Sequence, residues 1–308
     1  MPNIFNIDQS QIKISPFPHF VKDNFFEKNL FLRLSHEFPK YEFFQRKIRG
    51  QFSGGRIDAV KGNPLLNEFL QSSPLWKGVI DKIISKENFK VLLETFGNHI
   101  TEFGGKIDLS RAKLVDHNDF IPKKSILNRA IRKMYRDIRM KSLVYKIQEK
   151  MCPDDFYIIY SIGWGQSGYY VGPHSDNRYK VMTFLIYFDD FPGEEGSLNL
   201  LEHKNTKNLR DCERYPPPER LRIFKNISSK ANRCVGYVNS NNAYHSTVPW
   251  SGSKPRRHLY VGLCKRYSES IWDSSYFELG DLPSPNRVNG VDPLPEVPIE
   301  KAEDNLKL

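Results

Sequence analysis

The sequence has no long apolar run; nowhere does it reach the roughly 18 apolar residues that a membrane-spanning helix requires. It lacks a basic start followed by an apolar stretch, because MPNIFNIDQSQIKISPF mixes polar and apolar residues throughout, so a secretory signal is not expected. Cysteine is scarce: Cys152, Cys212, Cys234 and Cys264 are widely separated and form no CxxC pair. That scatter argues against a disulfide frame or a cysteine zinc site, and for buried free thiols in a reducing compartment. There is no internal repeat. The expectation is a soluble, cytoplasmic protein without a membrane span.

What is present suits a packed body. The 308 residues are 39% hydrophobic and 13% aromatic, enough for a sizeable core and too apolar for general disorder. The net charge of +10 is unevenly spread. Between Pro122 and Lys150, ten cations face only Asp137 and Glu149, a local excess of +8. Within that stretch Leu127, Ile131, Met134 and Ile138 recur at helical spacing, which predicts an amphipathic helix with a basic face. Its plainest reading is a solvated surface; its functional reading is contact with an anionic partner.

Residues 1–150 read as a mostly helical region packing on the core and ending in that basic helix. Asn24 is a candidate cap for a helix over Phe25–Phe38 that stops before Pro39, and Leu75–Ile84 and Asn88–Ile100 are further candidates. After Cys152-Pro153 the texture changes. Short runs rich in β-branched and aromatic residues follow, bounded by Gly, Pro, Asn and Asp: Phe156–Ile162, Tyr169–Val171, Lys180–Asp189, Ser197–Glu202, Arg220–Phe224, Cys234–Val238 and His258–Cys264. Many short strands without a helical period predict an antiparallel sandwich or barrel, most naturally a jelly roll, over residues 151–270. The segment 271–308, proline-rich and polar from Gly280 onward, reads as an extended or disordered tail.

The chemistry concentrates in GYYVGPHSDNRYK. His174 and Asp176 are two residues apart, so on an extended segment both side chains point to one face. An HxD pair alone usually marks a surface turn, and two ligands do not hold a metal. Of the eight histidines, His245 is the best third ligand, because it follows the strand-like Cys234–Val238. Two imidazoles and one carboxylate leave three octahedral positions open, an arrangement suited to Fe(II) and O2 chemistry. His203 and His258 read as structural or substrate-facing.

Arg256 lies eleven residues beyond His245, at the start of a strand. A guanidinium pairs in a plane with a carboxylate, and an inward Arg256 suits the far carboxylate of a dicarboxylic acid. Strand alternation puts Arg256 with His258 and Tyr260, and Arg257 with Leu259 and Val261; Arg257 stands as the alternative. On KVMTFLIYFDD, Thr183, Leu185 and Tyr187 share a face, and the Tyr187 hydroxyl could serve the same carboxylate, although a core aromatic is its plainer reading. Trp164, Gln166 and Lys180 are further candidates for lining a pocket.

This order of parts resembles the Fe(II)/2-oxoglutarate-dependent dioxygenases, and in detail their prolyl 4-hydroxylase-like branch. The matching parts are Trp164-Gly165-Gln166 ahead of His174-Ser175-Asp176, the strand from Thr183 to Tyr187, the turn and strand Pro192–Glu202, the stretch Val235–Val248 with His245, and Arg256-Arg257-His258. They span residues 155–265. His258 stands where a small hydroxyl residue is common. The resemblance implies a double-stranded β-helix, a jelly roll with helices on one sheet. It implies His174, Asp176 and His245 on Fe(II), and 2-oxoglutarate chelating the metal with its far carboxylate on Arg256 and Tyr187. O2 is the third reactant, and succinate and CO2 are released as a substrate C–H is hydroxylated. Relatives that halogenate replace the carboxylate with a small residue, so Asp176 implies hydroxylation or a related desaturation or demethylation.

Three other readings stand beside this one. A nucleic-acid demethylase of the same superfamily is invited by the basic stretch. However, that branch carries Arg-x-Asn-x-Thr-x-Arg on its last strand, and here only Arg256 agrees, with His258, Tyr260 and Gly262 following. A non-catalytic barrel binding an anionic partner would not need all three ligands. A hydrolytic zinc site uses similar ligands but not the arginine that follows. The substrate is expected among small metabolites, saccharides, amino acids or peptidyl side chains, with the basic surface favouring an anionic one.

Overall fold

A computed structural model describes residues 4–5, 7–45, 52–53, 56–116, 155–191, 193–204, 214–251, 254–266 and 271–272. The basic stretch 122–150, His117, Cys152, Cys212 and the tail from Gly280 lie outside the described residues. In chain order the strands are β1 (His19–Lys22), β2 (Phe52–Ser53), β3 (Arg56–Val60), β4 (Lys113–Leu114), β5 (Asp155–Gly165), β6 (Lys180–Tyr187), β7 (Leu198–His203), β8 (Leu221–Ile227), β9 (Cys234–Val238), β10 (Tyr244–Thr247) and β11 (Arg256–Lys265). The helices are α1 (Lys28–His36), α2 (Tyr41–Gln45), α3 (Pro64–Ser72), α4 (Pro74–Ile83) and α5 (Lys86–Glu102).

Two sheets form. The larger runs β1-β9-β6-β11-β5-β3-β2, with β4 beside β5, and the smaller runs β10-β7-β8. From β5 onward the chain passes back and forth between them. The segment after β5 reaches the smaller sheet, where His174 and His245 form a bridge. β6 returns to the larger sheet, β7 and β8 lie in the smaller, β9 in the larger, β10 in the smaller and β11 in the larger. This winding is the double-stranded β-helix, a jelly roll.

Side-chain alternation gives the larger sheet two apolar faces. On β6, Phe184 and Ile186 join Leu259 and Val261 of β11 in packing against Trp76, Ile80 and Ile83 of α4 and Leu92 and Phe96 of α5. Leu185 and Tyr187 point the other way, into a second cluster with Leu198, Leu200, Val235 and Tyr237 between the sheets. Each buried aromatic or aliphatic side chain contributes about 1.5–3 kcal/mol, so both faces are strongly specified. Gly236 has a packing reason: a Cβ there would lie 2.3 Å from Phe20 and 2.7 Å from Phe184.

The expected helices over 75–84 and 88–100 are found as α4, displaced by one residue, and α5, which is longer at both ends; they are capped by the Ser73 and Ser85 hydroxyls. The first helix starts later than expected. Asn24 has φ 51° and sits in a turn rather than at a cap, and Glu27 caps α1 through Asn29 N and Leu30 N. The reason is tertiary: Asn232 accepts from Phe26 N at 2.8 Å and donates to Phe26 O at 2.9 Å, holding that residue out of a helix. The early region is also less purely helical than expected, since β1 to β4 extend the larger sheet. The segment Tyr169–Val171 is extended and bonds to Thr247 without forming a full strand. Cys234 and Cys264 are buried free thiols. Among the described residues, no helix is long and apolar enough to cross a membrane.

An ion pair fastens the bend before α1 to the turn that leads into β9. Arg233 donates to Asp23 at 2.6 and 3.0 Å, and Lys230 adds a contact at 3.1 Å. The Arg233 guanidinium lowers the Asp23 carboxyl from 3.8 to about 2. A depressed folded pKa adds stability that is present above the ordinary value and lost as pH falls toward 2. Asp23 is 39% exposed, so screening limits the effect to about 1 kcal/mol. Asp23→Asn is expected to cost that much at neutral pH in chemical denaturation, with the deficit closing in acid. An equal deficit at pH 7 and in acid would rule this account out.

Candidate metal centre

His174 and His245 come from distant stretches of sequence and meet as backbone bridge partners: His174 N donates to His245 O at 3.0 Å and His245 N to His174 O at 2.9 Å. Their rings lie 4.3 Å apart. Asp176, two residues along, completes the group, and the three ligand atoms lie within 4.8 Å of one another. The sequence thus places all three side chains in one space by pairing a short polar strand, β10, with the segment after β5.

Each imidazole is held in one tautomer. Gly172 O lies 2.8 Å from His174 Nδ1, and Ala243 O lies 3.0 Å from His245 Nδ1. A carbonyl only accepts, so both Nδ1 atoms carry the proton and both Nε2 atoms are unprotonated, the state a metal ligand needs. Burial, reinforced by His245, lowers His174 to about 3. Burial also lowers His245. Asp176 is the opposite case. Burial, the largest single influence, works against its charge, but Lys180 and the two imidazoles together outweigh it and hold the carboxyl well below its usual range. Lys180 Nζ donates to Asp176 Oδ1 at 2.6 Å, and Thr183 Oγ1 donates to Oδ2 at 2.8 Å. Asn239 Nδ2 in turn donates to Thr183 Oγ1 at 3.0 Å. At neutral pH the group is therefore two neutral imidazoles and one carboxylate.

The interior arginine lies on β11. Arg256 is 2% exposed, and its Nε donates to Gly196 O at 2.8 Å. Gly196 has φ +64°, in the left-handed region that favours glycine, and its neighbourhood includes the Arg256 side chain. The guanidinium lies 4.8 Å over the Tyr187 ring. Among the described residues, Arg256 Nη2 and the Tyr187 hydroxyl are buried without a hydrogen-bond partner. Orphaned donors of this kind are rare in a packed interior, and together they fit a carboxylate. Burial raises the Tyr187 phenol, which stays protonated and able to donate.

Arg257 faces the other way. It donates to both oxygens of buried Asp189, at 2.8–3.1 Å, and to Ser35 O at 3.2 Å, joining β11 to α1. Its fork is already filled, so alternation separates a structural arginine from an interior one. His258 is buried beside Arg256 O and His203 ends β7; neither joins the three-ligand group. Trp164 and Gln166 contact α2: Trp164 packs on Tyr41 and Phe44, and Gln166 Nε2 donates to Tyr41 Oη at 2.5 Å. The sequence reading missed Tyr237, Asn239 and Tyr215. Alternation with Val235 was a usable signal for Tyr237. Tyr215, whose ring stacks 6.3 Å from His174, had none.

Fold and side chains together define a double-stranded β-helix bearing a two-histidine, one-carboxylate group and an inward arginine. No family model and no curated protein matches the chain. Among solved structures it is similar to a prolyl-4-hydroxylase from Pseudomonas putida, at 9% identity and TM-score 0.41, covering 82% of this chain and 95% of that one. It is similar to a Trichoplax adhaerens prolyl hydroxylase solved with a hypoxia inducible factor peptide, at 10% identity and TM-score 0.40, covering 83% and 88%. It is also similar to HygX from Streptomyces hygroscopicus, solved with nickel and 2-oxoglutarate, at 8% identity and TM-score 0.40, covering 83% and 85%. At this level of likeness, the functional reading rests on the side chains of the site.

Proposed function

We propose that this protein is an Fe(II)- and 2-oxoglutarate-dependent oxygenase that hydroxylates a substrate C–H bond. The observation carrying the proposal is the pairing of two unprotonated imidazole nitrogens and an ionised carboxylate with a buried, half-unpaired arginine fork. His174 Nε2, His245 Nε2 and Asp176 would hold the metal. Arg256 and Tyr187 would hold the far carboxylate of 2-oxoglutarate. When bound, metal and cosubstrate supply the oxidising chemistry, in which O2 is consumed, 2-oxoglutarate becomes succinate and CO2, and C–H becomes C–OH.

The protein's own residues orient and exclude. Gly172 O and Ala243 O keep the proton off the ligating nitrogens, and Lys180 and Thr183 hold Asp176 ionised and aimed. Leu185, Leu200 and Val235 of the inter-sheet cluster surround Tyr187 and Tyr237 with apolar walls. The substrate belongs to the small-metabolite, saccharide or amino-acid and peptidyl classes. On this reading residues 151–270 carry the catalytic barrel, the preceding region buttresses it, and the buried thiols suit a cytoplasmic setting.

The test is succinate formation by the full chain. It is expected to require added Fe(II), 2-oxoglutarate and O2 together, and to stop with a chelator. Binding of none of these components would overturn the proposal, and hydrolytic activity restored by zinc would replace it.

A further inference from the structure

Tyr237 lies within the metal group, yet the proposed chemistry assigns it no task. Its hydroxyl is 3.0 Å from His245 Nε2. The His245 proton is on Nδ1, committed to Ala243 O, so Nε2 can only accept and the phenol must be the donor. The bond therefore occupies the very lone pair that a metal would use. Backbone register makes this placement systematic. Tyr237 on β9 stands opposite Thr183 on β6; one hydroxyl addresses His245 and the other addresses Asp176. The Tyr237 side chain is 1% exposed, and its ring packs edge-on against Phe17 at 5.9 Å and 5.0 Å from the His245 ring.

Resting on the oxygenase reading, we infer that Tyr237 is a removable cap on His245: it covers the ligating nitrogen in the metal-free protein and yields it when the ion binds. Two effects of opposite sign then compete. A cap could strengthen metal binding by holding the imidazole in place, or weaken it by competing for the lone pair. The first effect is small here, because burial and the Ala243 carbonyl already fix the ring. Competition wins, so the cap sets a metal affinity below what the three ligands alone would give. The Thr183 hydroxyl, adjacent across the strands, is within hydrogen-bonding reach of the phenol and is an acceptor to which it could turn.

The test is a Co(II) titration of the full chain followed by visible absorption, comparing wild type with Tyr237→Phe, which keeps the ring and its packing. The variant is expected to bind Co(II) tighter, by roughly two- to ten-fold, the factor matching loss of one hydrogen bond of ordinary net strength. Equal or weaker binding by the variant, with wild type binding normally, overturns the cap alone. Absence of Co(II) binding by wild type overturns the metal reading itself. A second measurement needs no variant: nitrogen NMR of histidine-labelled, metal-free protein should show His245 Nε2 accepting a hydrogen bond. A resonance typical of an unbonded imidazole nitrogen would refute the cap.

Discussion

Alanine at position 176 should abolish 2-oxoglutarate turnover and, unlike alanine at position 174, should also destabilise the fold substantially. The ligand count alone predicts the same loss of activity for both. The surroundings separate them. Asp176 neutralises Lys180 at 2.6 Å, and the two side chains are only 11% and 14% exposed. Removing one partner of a buried ion pair leaves the other charge without compensation, at a cost of about 3 kcal/mol or more. His174→Ala gives up the bond to Gly172 O and some packing, closer to about 1–2 kcal/mol. Chemical denaturation of the metal-free variants distinguishes the two cases. The double variant Asp176→Ala with Lys180→Met should recover most of the lost stability while staying inactive. Full turnover in Asp176→Ala would defeat the metal assignment, and unchanged stability would show that the ion pair contributes little.

Arg256→Ala should raise KM for 2-oxoglutarate by roughly a hundred-fold or more, the range for truncating one side of a buried, hydrogen-bonded charge pair. Tyr187→Phe, which removes a single neutral donor, should cost about ten-fold or less. Arg257→Ala is the contrasting control. It leaves Asp189 buried without its cation and unfastens β11 from α1, so it should reduce stability while KM for 2-oxoglutarate stays put. Steady-state kinetics over a range of cosubstrate concentrations reads both outcomes. A larger KM effect from Arg257 than from Arg256 would mean that the facing of β11 has been misassigned.

Much of this site was legible before any coordinates. The HxD spacing put His174 and Asp176 on one face, and alternation from Arg256 to Tyr260 pointed the first arginine inward, because a strand offers only two sides. The same rule grouped Thr183, Leu185 and Tyr187. The elements that escaped notice were short. The strand of His245 has four residues and mostly polar side chains, and the strand of His19 also has four. Neither has a local pattern strong enough to announce itself, since each is a strand only by virtue of its neighbours. Asn24 failed as a helix cap for a related reason: Asn232, some two hundred positions away, binds the backbone of Phe26.

Chain order and side-chain alternation were thus enough to predict the barrel, the shared face of His174 and Asp176, and the inward side of Arg256, because these depend on spacing within single segments. Three features depended on folding: that the two imidazoles would meet as bridge partners, that Lys180 would neutralise Asp176, and that the Tyr237 hydroxyl would rest on His245 Nε2. The first and third join segments distant in sequence, whose register follows from how whole sheets bury their apolar faces rather than from any local motif; the second spans only four residues and depends on the path of the chain into β6.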